Sequence, residues 1–152
     1  MGKFRFNGID QISASFEQLN SLTDSDKMSI IMPAAKILLE RQVQKIQAMF
    51  NQRSGDLANS LTIEQRNGDN GPYAYIFPKG KHSGSTTGKR KGKRRSNGSY
   101  SGTNAEVAYI LEYGSTRITA RHWMETANEE AEDEVVSAQA AAWDQLLSEK
   151  GV

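Results

Sequence analysis

The most restrictive feature of this sequence is a stretch near its middle that has almost nothing with which to build a core. Residues 80–102 contain six glycines, separated mostly by Ser, Thr, Lys and Arg. Glycine has high conformational freedom, and a segment so poor in apolar residues buries too little surface to offset its loss of entropy on folding. We therefore predict a flexible loop over residues 79–103, inserted into a single domain that spans residues 1–152.

The charge of the chain is divided between this stretch and the rest. Of the 19 basic residues, eight lie between Lys79 and Arg95, where there is no acidic residue. The other 11 basic residues stand against 18 acidic residues, so a total charge of +1 conceals a net −7 outside the stretch. Such a separation of charge influences association with partners more than it influences the fold.

Apolar residues at helical spacing predict a long helix near residues 28–51. Its apolar stripe consists of Ile31, Ala35, Leu38, Leu39, Val43, Ile46 and Phe50. The candidates for its N-terminal cap are Thr23, Ser25 and Asp26. Pro33 suits such a helix only within the first turn, and elsewhere it marks a kink. Nearer the N-terminus, the pattern predicts a short strand at Phe4–Phe6 and an amphipathic helix over Ile9–Leu19.

The remaining patterned segments predict a hairpin and a second long helix. Residues 58–66 and 73–77 are plausible strands, and the sequence Asn-Gly-Asp-Asn-Gly at 67–71 is a strong hairpin-turn signal. Residues 105–113 fit either a strand or a short helix, and their periodicity does not decide between them. The spacing of apolar residues over 121–147 predicts a helix. Its buried stripe is Trp123, Ala127, Ala131, Val135, Ala138, Ala142 and Leu146. The predicted class is α+β, with a small antiparallel sheet packed against a long helix and a long C-terminal helix, and an extended basic Gly-rich loop.

The segment from Val107 to Met124 has the character of a structural joint. An aromatic and apolar run stops at Gly114, where glycine can adopt the left-handed conformation that ends a helix or strand. Arg117 and Arg121 bracket the link that follows, and their guanidinium groups can tie the turn to carboxylates or carbonyls. No nucleophile, base and orienting group are assembled in it, so we assign it no catalytic role. The residues of the predicted joint are Tyr113, Gly114, Arg117, Arg121 and Trp123.

Nothing elsewhere in the sequence predicts catalysis, a cofactor or a metal site. The segment Gly-Ser-Thr-Thr-Gly-Lys at 84–89 has three residues between its glycines, whereas a phosphate-binding loop needs four and then Lys followed by Ser or Thr. His122 is expected to pack or to form a hydrogen bond at the start of the last helix. The acidic residues of that helix spread around its surface, as on a solvated face. They are Glu129, Glu130, Glu132, Asp133 and Glu134.

Several features that the sequence lacks indicate the cellular compartment of the protein. The chain has no cysteine, which fits a reducing cytoplasm and leaves no disulfide or thiolate site. No apolar run approaches the roughly 20 residues that span a bilayer. The N-terminus carries basic residues but no apolar run behind them, so it does not resemble a secretory signal. We therefore expect a cytosolic protein without a membrane partner.

A cluster of six cations at the centre of the basic stretch is the strongest candidate for a functional contact. Such a cluster can lie along the phosphates of DNA of any sequence, or it can dock on acidic protein such as the C-terminal helix of a neighbouring subunit. A solvated loop with no specific role is the third reading. Tyr100 is the only aromatic residue nearby, so stacking on bases is poorly provided for. The cluster consists of Lys89, Arg90, Lys91, Lys93, Arg94 and Arg95.

The joint also resembles a known signature. Tyr-Ile-Leu-Glu-Tyr-Gly-Ser-Thr-Arg at 109–117, followed by Ala-Arg-His-Trp-Met at 120–124, is similar to the signature of siphophage tail-completion proteins. These form the lambdoid "gene product ten" family, also called head–tail joining or minor tail proteins. Three other segments resemble those of the family in the same order: the opening at 4–10, the long helix at 34–50, and Ser-Gly-Asp-Leu-Ala-Asn-Ser-Leu at 54–61. The chain departs from the family at His122 and Trp123, in place of Pro-Phe, and at Asp56, in place of a basic residue.

The resemblance implies a structural protein of the virion, made in the host cytoplasm. It implies that the protein completes the proximal end of the tail and joins the tail to the head, as a ring of copies, expected to be sixfold, around the DNA channel. The implied partners are other copies, other neck and tail proteins and, through non-specific contact, genomic DNA. The alternative is a stand-alone nucleic-acid-binding protein that uses the basic cluster. We expect neither class to be an enzyme.

Overall fold

The computed structural model describes residues 22–50, 56–81 and 103–151. In chain order they form helices α1 (Asp24–Met49) and α2 (Asp56–Ser60), strands β1 (Leu61–Gly68) and β2 (Gly71–Pro78), and helices α3 (Asn104–Tyr113) and α4 (Trp123–Lys150). The predicted α+β class, with two long helices and a small antiparallel sheet, is confirmed. The strand and helix expected before residue 20, and the cluster from Lys89 to Arg95, lie outside the described residues.

Helix α1 begins with a reciprocal cap. The Thr23 hydroxyl accepts a hydrogen bond from the Asp26 N–H (3.2 Å), and the Asp26 carboxylate accepts one from the Thr23 N–H (3.0 Å). Lys150, at the end of α4, lies 3.1 Å from the same carboxylate. The Thr23 N–H, and then Lys150, hold the pKa of Asp26 below its usual value. The helix starts at Asp24 rather than near residue 28, so Pro33 lies in its interior, where the missing N–H removes one helical hydrogen bond.

Helices α1 and α4 pack against each other in antiparallel orientation and form the most extensive contact of the fold. Small buried side chains allow the two backbones to approach closely, namely Ala34 on α1 and Ala127 and Ala131 on α4. One polar pair lies within this apolar contact. Gln42, only 3% exposed, donates a hydrogen bond from Nε2 to Oδ1 of Asn128 at 2.9 Å. The sequence pattern did not predict a buried amide here.

Two ion pairs lie at the margin of the α1–α4 contact. Arg41 pairs with Glu134, and Lys45 pairs with Glu130. Two of the five acidic residues expected on a solvated face of α4 therefore contact α1 instead. The burial predicted for the apolar stripe of α4 is confirmed towards both ends of the helix, but the central positions of the stripe are only half-buried. These half-buried residues are Val135, Ala138 and Ala142.

Strands β1 and β2 form a two-stranded antiparallel hairpin that packs against α1. The register runs from the pair Leu61 and Pro78 to the pair Gly68 and Gly71. Only Asp69 and Asn70 lie in the turn, so the predicted turn is confirmed but is narrower than the five-residue segment that signalled it. Gly71 has a φ of +110°, which glycine adopts without a steric penalty.

The strand predicted over residues 58–66 is wrong at its start. The Asp56–Ser60 segment is helical, and the Ser60 hydroxyl donates a hydrogen bond to the Leu57 carbonyl at 2.7 Å. Leu57 and Ala58 are buried from this helical turn, and the extended backbone starts only at Leu61. Short polar side chains that bond to nearby backbone groups compete with the extended conformation, which is the physical reason for the later start.

The hydrophobic core draws on both sides of the basic stretch. Ile46 and Trp123 are the largest fully buried side chains, each 0% exposed, and they belong to one cluster with Leu57, Leu61 and Ala108. Three of these residues precede the basic stretch and two follow it. The segments before and after the basic stretch must therefore fold together, because neither segment alone supplies the whole cluster.

Residues 105–113, for which the sequence allowed two structures, are helical. The Thr103 hydroxyl accepts a hydrogen bond from the Glu106 N–H (3.2 Å), and the Glu106 carboxylate accepts one from the Thr103 N–H (2.9 Å). This second capping box stabilises the start of α3. Helix α4 begins at Trp123 rather than Arg121 and continues to Lys150. Of the helices in the described part of the chain, none combines the length and the apolar character that crossing a membrane requires.

Replacing Ala131 by Leu tests the close approach of α1 and α4. Ala131 is 0% exposed, so extra methyl groups must displace α1, and we expect the free energy of unfolding to fall by about 1–3 kcal/mol. Ala140 lies on the exposed side of the same helix, and the Ala140→Leu variant is the matched control with little change expected. Urea denaturation of both variants measures the difference. Equal stabilities would contradict the proposed tight contact.

Candidate functional site at the α3–α4 joint

Gly114 ends α3 as predicted. Its φ of +82° and ψ of −177° take the backbone out of the helix, and its N–H donates to the Ile110 carbonyl at 2.8 Å. A Cβ at this position would lie 2.8 Å from the Ala120 nitrogen and 2.9 Å from the Ile118 oxygen. Glycine is therefore required here twice, once for its positive φ and once for the close approach of the link that follows.

Backbone hydrogen bonds hold the link between α3 and α4. Ser115 and Ile118 form an antiparallel bridge, in which the Ser115 N–H donates to the Ile118 carbonyl at 2.7 Å. The Arg121 N–H donates to the Leu111 carbonyl at 2.8 Å, which returns the chain to the last turn of α3. His122 then adopts a left-handed conformation with a φ of +47°. The link is thus a defined turn fixed by its own backbone.

Glu112 provides the cap of α4 from the preceding helix. Its side chain is buried, at 4% exposure, and its carboxylate accepts hydrogen bonds from the N–H groups of Met124 (2.7 Å) and Glu125 (3.2 Å). His122 occupies the N-cap position but its side chain makes no capping hydrogen bond. A negative charge at the N-terminus of a helix is favourable because it satisfies free N–H groups and opposes the helix dipole.

Trp123 connects α4 to α3, the two helices of the joint. Its ring is 0% exposed, and its indole Nε1 donates to the Ala108 carbonyl in α3 at 3.3 Å. The sequence predicted a buried stripe at Trp123, and the structure adds the hydrogen bond that orients the ring. Glu112 and Trp123 together fix the direction in which α4 leaves the joint.

The other predicted joint residues face solvent. Arg117 and Arg121 are exposed, and neither guanidinium forms an ion pair with another residue that the structure describes. The expected tie between these arginines and carboxylates is thus not found within residues 22–50, 56–81 and 103–151. Tyr113 is 63% exposed and Tyr109 is 64% exposed, with ring centroids 4.9 Å apart. Ile118, 45% exposed, adds an apolar side chain in the link.

These exposed side chains lie on the second half of α3 and on the link that follows it, and we call them together the aromatic–arginine edge. It consists of Tyr109, Tyr113, Arg117, Ile118 and Arg121. Exposed apolar and cationic groups from one short segment of a chain are suited to contact with another macromolecule. Three of these residues belong to the joint predicted from the sequence, but the pattern did not predict that they are exposed.

Helix α4 carries a second distinct surface, which we call the acidic stripe. Glu129, Glu132, Asp133 and Val136 follow one another at helical spacing and share one face of the helix. All four are exposed, Val136 to 58%, and the three acidic residues form no ion pair with another described residue. Unlike Glu130 and Glu134, which contact α1, they remain on the solvated face that the sequence predicted.

One group of side chains near the joint has the composition of a metal site but a different role. Single ligand atoms of Glu112, His122 and Glu125 lie within 4.8 Å of one another. The Glu112 carboxylate, however, already accepts two backbone N–H groups, at the positive end of a helix dipole that disfavours a cation. His122 Nδ1 lies 3.2 Å from Glu125 Oε2, in keeping with the expected hydrogen-bonding role of this histidine. We assign no metal to this group.

The two ends of the basic stretch are held together by a stem. Lys81 and Thr103 form an antiparallel bridge, and the Asn104 N–H donates to the Gly80 carbonyl at 3.1 Å. The Asn104 side-chain amide also donates to the Lys79 carbonyl at 2.9 Å. The first three residues and the last residue of the loop predicted over residues 79–103 are therefore fixed in a stem. The cations from Lys89 to Arg95 lie outside the described residues.

An aromatic face, which the sequence analysis missed, runs along β2 towards this stem. Tyr73, Tyr75 and Phe77 alternate along the strand, with ring centroids 6.1 and 5.2 Å apart. The Arg66 guanidinium lies 5.2 Å from the centre of the Tyr75 ring. The Tyr75 hydroxyl donates to Glu64 at 2.7 Å and, with Arg66, lowers the pKa of Glu64. The sequence signal for this face was an aromatic residue at every second position of 73–77, because every second residue of a strand lies on the same face.

Comparison with known proteins adds nothing to this geometry: the chain matches no family model, no curated protein and no solved structure.

Replacing Glu112 by Gln tests the cap of α4. The amide has nearly the same shape, but its NH₂ group cannot accept a hydrogen bond, so one of the two backbone N–H groups loses its acceptor. We expect the free energy of unfolding to fall by about 1–3 kcal/mol. The matched control is Glu129→Gln on the exposed face of α4, where little change is expected. Thermal denaturation compares the two, and a Glu112→Gln variant as stable as its control would show that the cap is dispensable.

Proposed function

We propose that this chain is a structural protein of a phage neck, which completes the proximal end of the tail and joins it to the head. The observation that carries the proposal is the structure of the segment that resembles the tail-completion signature. In that segment Glu112, Gly114 and Trp123 build a rigid joint, while Tyr109, Tyr113 and Arg117 remain exposed. A sequence signature that divides into a scaffold and a free surface suits a protein that works by fitting against others.

The polar chemistry of the joint supports a structural role rather than a catalytic one. The Glu112 carboxylate is occupied by backbone N–H groups, and the Trp123 indole is occupied by a backbone carbonyl. A general base must instead reach a proton on a substrate or a nucleophile. The groups of the joint therefore act on the direction of α4.

We propose that the protein acts as a ring of copies around the DNA channel, as the resemblance implies. A ring requires a heterologous contact, in which one surface of a subunit meets a different surface of the next. The described chain carries an exposed acidic surface for such a contact, the acidic stripe on α4, and the basic cluster from Lys89 to Arg95 adds cations for contact with further partners. The remaining partners are other neck and tail proteins, with non-specific contact to the genome.

Complementation tests this function. A phage that lacks the gene is expected to accumulate separate heads and tails, and the purified protein added to them is expected to restore joined, infectious particles. A variant in which the six cations from Lys89 to Arg95 are replaced by Ser should restore far fewer particles although its circular dichroism is unchanged, since the substitutions lie outside the helices and strands of the described residues. Joined particles formed without the protein would overturn the proposal.

A second function, binding of single-stranded nucleic acid, is favoured by the aromatic face. The basic cluster has only Tyr100 near it in the sequence for bases to stack on, but Tyr73, Tyr75 and Phe77 lie in a row on β2. Lys79 follows at the end of the row, beside the stem of the basic stretch. Aromatic side chains next to a cationic path are the arrangement by which proteins hold single strands without sequence preference.

A titration with oligonucleotides at two salt concentrations separates the two functions. If the chain binds nucleic acid as a monomer through the aromatic face, Tyr73→Ser should weaken binding to single-stranded DNA several-fold, and affinity should fall steeply with salt. The exposed Tyr109 belongs to α3 and not to the aromatic row on β2, and Tyr109→Ser is the control. Weak binding that neither variant changes would exclude the second function.

A further inference from the structure

We infer that the aromatic–arginine edge of one copy docks on the acidic stripe of the next copy. The inference rests on the proposed ring and names the surfaces that would build it. Both surfaces belong to the described residues, and each combines exposed apolar side chains with charges of one sign. The apolar side chains are Tyr109, Tyr113 and Ile118 on the edge and Val136 at the end of the stripe, all between 45% and 64% exposed.

The charges of the two surfaces are complementary. Arg117 and Arg121 bracket the link and are exposed, and no acidic residue of the described chain pairs with them. Glu129, Glu132 and Asp133 are likewise exposed, without a basic partner among the described residues. Their neighbours Glu130 and Glu134 show that acidic residues of α4 do form pairs where a cation faces them. An arginine fork and a carboxylate make strong, directional contacts once water is excluded.

The joint holds the edge in a fixed position relative to the stripe. The edge lies on α3 and on the link, whose backbone is fixed by the Ser115–Ile118 bridge and by the bond from Arg121 to Leu111. The stripe lies farther along α4, whose direction Glu112 and Trp123 determine. Preorganised surfaces lose little conformational entropy on association. Because the two surfaces differ, repeating the contact adds copies in one direction, as a ring requires.

The tyrosine pair supplies the apolar part of the contact. The rings of Tyr109 and Tyr113 pack against each other, so both are restrained before a partner arrives. Tyrosine buries a large area at low entropic cost, and its hydroxyl can bond to a carboxylate of the stripe. The basic stretch could also reach α4 of a neighbour, so an experiment must separate the edge from the loop.

Charge reversal with mixing tests the contact. The first variant carries Arg117→Glu and Arg121→Glu, and the second carries Glu129→Lys, Glu132→Lys and Asp133→Lys. In a sample of either variant alone, the edge and the stripe carry charges of the same sign, so self-association should weaken at least about 100-fold. In a mixture of the two variants, the edge of each variant meets the oppositely charged stripe of the other, so association should be restored. A chain with all five substitutions should also associate. Sedimentation over a range of concentrations at low salt measures size, and circular dichroism confirms folding.

Cross-linking detects weak association of the same surfaces. The chain has no native cysteine, so a copy with Arg117→Cys and a copy with Asp133→Cys offer one thiol each. A bismaleimide should join them, whereas Arg117→Cys with Lys36→Cys, on the exposed side of α1, is the control pair. Equal cross-linking of the two pairs, or association that charge reversal leaves unchanged, overturns the contact.

The yield of joined particles separates failure of this contact from failure of the proposed function. Should the wild type join heads to tails while both charge-reversed variants do so equally well, the contact is wrong and the function stands. Should the wild type associate through these surfaces but stop at two copies, the contact stands and the ring is wrong. If only the six-Ser loop variant loses association, the loop rather than the edge docks on the stripe, and the inference is overturned.

Discussion

The buried carboxylate of Glu112 is the constraint on which the rest of the structure depends. The first turn of α4 would otherwise lack an acceptor, because the His122 side chain at the N-cap position forms no capping bond. Glu112 supplies that acceptor from α3, so the end of one helix and the start of the next are satisfied by the same side chain. The direction of α4 follows, and with it the antiparallel contact with α1 and the placement of Trp123 in the core.

Local signals in the sequence were sufficient for most of the secondary structure. Periodicity predicted both long helices, the Asn-Gly-Asp-Asn-Gly segment predicted the hairpin, and Gly114 predicted the end of α3. The boundaries that were missed depend on side-chain bonds to the backbone. The Ser60 hydroxyl favours a helical turn where a strand was predicted, and the Thr103–Glu106 capping box starts α3 where periodicity was ambiguous.

The roles within the joint could not be predicted in the same way, because they depend on tertiary position. Helical spacing placed Trp123 in the buried stripe of the last helix, but no pattern in the sequence indicated that Tyr113 would be 63% exposed. Glu112 lies in an apolar run of the sequence, and its role depends on the first N–H groups of α4 coming within hydrogen-bond distance of its carboxylate. The two arginines, expected to fix the turn, are instead free of ion pairs within the described chain, while backbone bonds fix the turn for them.

The stem at Lys81 and Thr103 has an implication for how such a protein can change over time. Both ends of the basic stretch are anchored by backbone and amide hydrogen bonds, and the core cluster of the described residues is built from side chains outside that stretch. The free energy of closing a chain between fixed ends varies slowly with length, by about 0.6 kcal/mol for each doubling. Insertions, deletions or wholesale exchange of that insert should therefore be tolerated, leaving selection free to retarget the molecule while its scaffold stays the same.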